Sequence, residues 1–192
     1  MNIIVKPYDS DLCHCRPDTT WERENKDFYS PECVNEVLWA PVIFARVAKA
    51  GKCIGNRFVE RYYDGIGCGM LMYCMTEKAA IPSSCVDHTS ILPMPLYDPE
   101  VMESDNEFVI TRASTITSGE VQAQITSAAR SKWRHLLEEA ICNASQLTSL
   151  RIGDFVAVEL APLEILAGRD EAKVTVKGKF CGNDIFDFNV IF

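Results

Sequence analysis

The sequence predicts an α+β fold rich in β-structure, and three observations lead there. Strand patterning occurs both before and after one long helical period, without the regular strand-helix alternation of a doubly wound parallel sheet. The chain has 192 residues, 47% of them apolar, which suits a single domain, 1-192, able to bury its own core. No internal repeat and no apolar run near the roughly 20 residues of a membrane span breaks that picture.

Taken in order, residues 1-36 read as an irregular N-terminal arm, because Pro7, Pro17 and Pro31 and many charges interrupt any apolar period. Val42 to Val47 reads as a buried strand, followed by a turn signal at Lys49-Ala50-Gly51-Lys52. Phe58 to Tyr63 suits one or two helical turns, and Gly65, Gly67 and Gly69 lead into the apolar run Met70 to Tyr73. Pro82, Pro93, Pro95 and Pro99 then punctuate a long connection around Cys85-Val86-Asp87-His88-Thr89, the kind of loop on which sites are carried.

Glu107 to Arg112 reads as a further strand. From Ser127 to Leu147 the spacing of Trp133, Leu136, Leu137, Ala140, Ile141 and Ala144 predicts an amphipathic helix, with Thr126 or Ser127 able to cap it. Asp154 to Leu160, Lys173 to Lys177 and the alternating series Phe186, Phe188, Val190, Phe192 complete the strands, with Gly168 and Gly178 at bends.

Nineteen basic against twenty-seven acidic side chains give a net charge of −8, which disfavours nucleic acid and anionic membrane as partners. Met1 to Pro7 is too short an apolar start for a signal peptide, so a cytoplasmic protein is expected, and the odd count of nine cysteines reads as reduced thiols.

Several constellations qualify as site candidates. His88 beside Asp87 suits a general base oriented by a carboxylate. Glu22-Arg23-Glu24 has the spacing of a carboxylate pair, yet its surroundings read as a solvated charge run. Cys13-His14-Cys15, with Asp9 and Asp11, is the densest set of zinc-type ligands, but no second ligand pair follows at a recognised spacing. A Cys-His nucleophile pair is unconstrained among so many thiols.

One set of motifs carries a resemblance. Ser118-Gly119-Glu120-Val121-Gln122, then Thr126, the helix with Ser145 near its end, Leu150-Arg151-Ile152-Gly153-Asp154 and a closing Phe188-Asn189-Val190 follow the order found in fumarylacetoacetate hydrolase domains. Upstream, Tyr63-Asp64-Gly65-Ile66-Gly67 and Val86-Asp87-His88-Thr89 followed by Pro93 are similar to two further family segments, so the resemblance spans residues 58 to 192. It implies a mixed β-sandwich roll with one long helix, a homodimer, and a small carboxylate or oxo-acid ligand. The implied pocket residues are Asp87, Thr89, Gln122 and Thr126.

The family holds Mg or Mn through a Glu-x-Glu pair on one strand and an Asp on the next, with a Lys nearby. In this sequence the matching strand, Pro41 to Val47, contains no acid; Met70, Leu71 and Met72 stand around the Asp position, and Ser84 stands for the Lys. Two readings follow. One is a divergent member that has lost the metal triad and is non-catalytic or binds a small ligand without a cofactor. The other is an active metal-dependent hydrolase, decarboxylase or isomerase of small, acylpyruvate-like oxo-acids, with Glu22, Glu24 and Asp64 as the remaining metal candidates.

Overall fold

A long antiparallel hairpin organises the computed structural model, which describes residues 1–100, 107–114, 121–125 and 133–192. Its arms are β5 (Glu36–Val47) and β6 (Tyr63–Met75), paired from Glu36 with Met75 to Val47 with Tyr63. They sit inside the larger of two sheets. Before them come β1 (Asn2–Lys6), β2 (His14–Pro17), β3 (Trp21–Glu22) and β4 (Phe28–Tyr29). After them come β7 (Ser90–Ile91), β8 (Phe108–Ser114), β9 (Val121–Ile125), β10 (Phe155–Glu159), β11 (Glu164–Gly168), β12 (Lys173–Phe180) and β13 (Asn183–Ile191).

The larger sheet runs β2-β1-β10-β5-β6-β7-β3, with β11 also on β5, and the smaller runs β4-β13-β12-β8-β9. Among the described residues the α-helix is α1 (Trp133–Leu147), and the Asn56–Arg61 segment forms the expected short helical turn in 3-10 geometry. The result is a β-rich α+β roll. Residues 126–132 lie outside the described residues, and with them the expected cap at Thr126 or Ser127.

The irregular arm is corrected by the structure. Ile3 and Val5 are fully buried, and β1 pairs in parallel with β10, Ile3 opposite Phe155. β3 pairs in parallel with β7, and β4 with β13, so the first thirty residues serve both sheets. The anchor is Asp154. Its carboxylate accepts the Asn2 amide at 2.8 Å and, from its own turn, the Arg151 amide at 2.9 Å, next to Gly153 at φ 88°.

Period-two alternation divides the core. Ile43, Ala45, Ile66, Cys68, Met70 and Met72 face a main cluster shared with the smaller sheet and with Trp133, Leu137 and Ile141 of α1. Val42, Phe44 and Leu71 face the other way, into a second cluster with Ile3, Val5, Leu92, Phe155 and Ala157. On this second side the three glycines of β6 leave space: a Cβ on Gly67 would stand 2.5 Å from the Phe44 ring, and one on Gly69 2.2 Å from the Ile91 carbonyl oxygen. Ser145 ties the helix down, its hydroxyl accepting the Ile54 amide at 2.8 Å and donating to the Cys142 carbonyl at 2.7 Å.

Candidate functional site

The parallel pairing of β3 with β7 sets Glu22 opposite Ile91, and so brings it beside the loop that precedes β7. There the Glu22 carboxylate, 3% exposed, lies 2.9 Å from Nδ1 of His88, which is 52% exposed. The other Glu22 oxygen accepts the Glu24 amide at 2.6 Å. His88 has a positive φ of 57°, a conformation that costs a non-glycine residue energy and recurs at functional positions. An imidazole held through Nδ1 by a buried carboxylate has a fixed tautomer and a fixed ring direction, with Nε2 left for another group.

His88 and Asp87 line a cleft of about 990 Å³ together with residues of the segment that carries β4, among them Lys26, Asp27, Phe28 and Tyr29. Across it stand Ile81, Cys85 and Val86. Asp27 is fixed by the closing hairpin, its Oδ1 accepting the backbone amide and the side-chain amide of Asn189 at 2.9 and 2.8 Å. The Cys85 thiol contacts the Ser84 hydroxyl at 3.8 Å.

The sequence candidates thus separate. Asp87 and His88 share the cleft, but the carboxylate that orients His88 belongs to Glu22, sixty-six positions away, because adjacent side chains diverge. Glu22 is a buried partner and no member of a solvated charge run. Glu24 is exposed and paired with Lys26 at 2.7 Å. Asp64 makes a two-pronged surface bridge to Arg46 at 2.9 and 2.7 Å. Thr89 is buried and does not line the cleft; its hydroxyl donates to the Val86 carbonyl at 2.9 Å. Gln122 lies on β9 opposite Thr111 by backbone register, and Thr126 lies outside the described residues.

Near the cleft, on the β6 side of the larger sheet, is a buried polar network that the sequence did not announce. Arg16, 0% exposed, donates through Nη1 to the carbonyls of Met72 and Thr89 at 3.1 and 3.2 Å and lies 4.3 Å above the Tyr73 ring. The Tyr73 hydroxyl donates to Glu159, whose second oxygen accepts the Tyr8 amide at 3.0 Å. Charge balance therefore runs from Arg16 through Tyr73 to Glu159. His14 packs edge-on to Tyr73, and burial, with Arg16 second, lowers its pKa to about 4. An alternation of inward and outward residues at this edge explains why Cys13-His14-Cys15 is no chelate: Cys15 is exposed and His14 turns inward. Among the described residues no three His, Cys, Asp or Glu side chains converge as a metal site would need.

In the segments that the motif resemblance matches to the metal-bearing strands, Pro41 to Val47 and Met70 to Met72, the side chains of Val42, Phe44 and Leu71 are buried in the second apolar cluster and those of Ile43, Ala45, Val47, Met70 and Met72 in the main one. A hard divalent cation takes several oxygen ligands, and these side chains supply none. The residues do not fit such an ion.

Neither a family model nor a curated protein matches the sequence. Solved structures do. The chain is similar to a structure described as a fumarylacetoacetate hydrolase family protein from Yersinia pestis CO92, with a TM-score of 0.73 and 13% identity over 99% of this chain and 92% of that one. It is similar to fumarylpyruvate hydrolase from Pseudomonas aeruginosa, solved with Mn2+ and pyruvate, at TM-score 0.70 and 13% identity over 100% and 90%. It is similar also to maleylpyruvate hydrolase from Sphingobium sp. SYK-6, solved with manganese and pyruvate, at 0.70 and 11% over 99% and 69%. The fold expected from the ordered motifs is the fold these proteins share. No helix among the described residues is long and apolar enough to cross a membrane.

Proposed function

We propose that this chain, built on the fold of fumarylacetoacetate hydrolase family proteins, is a divergent member that has exchanged the carboxylate metal site for apolar packing and acts as a non-catalytic, ligand-binding protein. The observation that carries this reading is the burial of Val42, Phe44 and Leu71 in one cluster with Ile3, Val5, Phe155 and Ala157. A cation placed among them would lose its hydration without gaining anionic oxygens, at a cost of many kcal/mol. The space is also closed by the chain itself, since Phe44 occupies the room that Gly67 leaves and β1 supplies two of the cluster's side chains.

The small carboxylate or oxo-acid expected from the resemblance would meet the same apolar wall, and Ser84 stands exposed where the family's lysine is expected. A ligand function therefore moves outward to the cleft at His88. The other reading, an active metal-dependent hydrolase of oxo-acids, draws support from the manganese in the two solved hydrolases. It would need carboxylates released from His88, Lys26 or Arg46.

Elemental analysis of the purified chain combined with Mn2+ and Mg2+ titration calorimetry decides between them. The expected result is less than stoichiometric metal and no saturable uptake. One equivalent of cation, bound more weakly after Glu22→Gln, Glu24→Gln, Asp64→Asn or Asp87→Asn, would establish the metalloenzyme reading instead. Light scattering tests the homodimer that the family resemblance suggests.

A further inference from the structure

We infer that the cleft between the β4 segment and the 81–88 loop is a binding site for a small primary ammonium compound carrying an apolar body. Three features of the cleft favour that occupant. The cation of its own wall, Lys26, is paired with Glu24 at 2.7 Å. Its acceptors, in contrast, have capacity left. Asp27 uses Oδ1 for both contacts to Asn189, which leaves Oδ2, and the Asp87 carboxylate makes no hydrogen bond or ion pair among the described residues.

His88 stands beside these acceptors, its ring held through Nδ1 by the Glu22 carboxylate at 2.9 Å. An ammonium group has three donors and no acceptor, the complement of this set. A carboxylate ligand would instead meet Asp27 and Asp87, and Lys26 among the described lining residues already has Glu24 as its partner.

The rest of the cleft suits an apolar body. Phe28 and Ile81 line it, and the Tyr29 ring, 72% exposed, offers an aromatic face to a cation. The volume, about 990 Å³, falls within the span of small-molecule sites. The net charge of −8 draws cations towards the protein at long range.

The test is a 1H–15N NMR titration of the whole chain with 2-phenylethylammonium chloride, and with 3-phenylpropionate as the anion of matched shape. The ammonium compound is expected to give saturable shifts confined to the amides of residues 25–29 and 85–88, and Asp87→Asn to weaken it about tenfold. Asp87 is exposed and makes no hydrogen bond or ion pair among the described residues, so that variant keeps the fold. Absence of saturable shifts, equal or tighter binding of the propionate, or an Asp87→Asn affinity equal to that of the parent would each overturn the site. The metal-free reading has its own failure, stoichiometric Mn2+ uptake, so the two proposals fall separately.

Discussion

Arg16 shows how far a single residue can depart from its composition-level reading. In a polar stretch between prolines an arginine is read as solvated, yet here its guanidinium is sealed between Met72, Thr89 and Tyr73. Removing one member of a buried charged network leaves its partners uncompensated. His14, at the edge of that network, makes a pH-dependent contribution whose sign follows from its lowered pKa. Its ordinary value is 6.5 and its folded value about 4, so above pH 6.5 both states are neutral and the stability is intact. As pH falls from 6.5 to 4, protons enter the unfolded state first and stability is lost. His14 is partly buried at the edge of the network, so the loss is on the order of 1–2 kcal/mol. Urea denaturation at pH 7.5 and at pH 4.5 is expected to show a smaller pH effect in His14→Asn than in the parent; an unchanged difference would mean that His14 is not responsible. None of this was visible from spacing, because burial of Arg16 and His14 depends on residues more than fifty positions away.

At the scale of elements, β6 carries the most specific message. Its alternate glycines read as a lead-in to an apolar run, and their physical task is clearance. Phe44 packs against Gly67, and the chain at Ile91 crosses Gly69 so closely that its carbonyl oxygen takes the place of a Cβ. Gly69→Ala forces a backbone shift and is expected to cost at least about 2 kcal/mol in thermal or chemical denaturation. Gly55→Ala is the matched control: its φ is −88° and nothing lies within 4 Å of the added carbon, so stability should be unchanged or slightly raised. Equal effects at the two positions would refute the clearance argument. The helix and the C-terminal strands β10, β12 and β13 were legible because their periods repeat, whereas β5 was read only from Val42 to Val47 and β6 only as its apolar run. β3, β4 and β7 were not legible, since two residues display no period, and β11 was hidden by its charged and glycine ends.

Across the whole molecule, β1 ties the first residues to β10, about 150 residues later. If this strand is integral, Ile3→Ala should lower stability by roughly 2–5 kcal/mol while tryptophan fluorescence and far-ultraviolet circular dichroism still report one coincident transition. Two separated transitions, with the N-terminal strand leaving first, would restore the reading of residues 1-36 as an arm outside the core. The ordered motifs from Tyr63 to Val190 led to the β-rich roll, and Val42 to Val47, read as a buried strand, lies within β5. Asp87 and His88 were proposed from side-chain chemistry and, for Asp87, from the resemblance as well. Composition and local period determine which segments become strand or helix and which side chains can hold a charge, because those properties reside in a few adjacent residues. The pairing of His88 with Glu22, the closure of the second core by Ile3 and Val5, and the burial of Arg16 were decided only by tertiary structure. Each depends on strands from distant parts of the sequence arriving side by side, and no local spacing encodes that arrival.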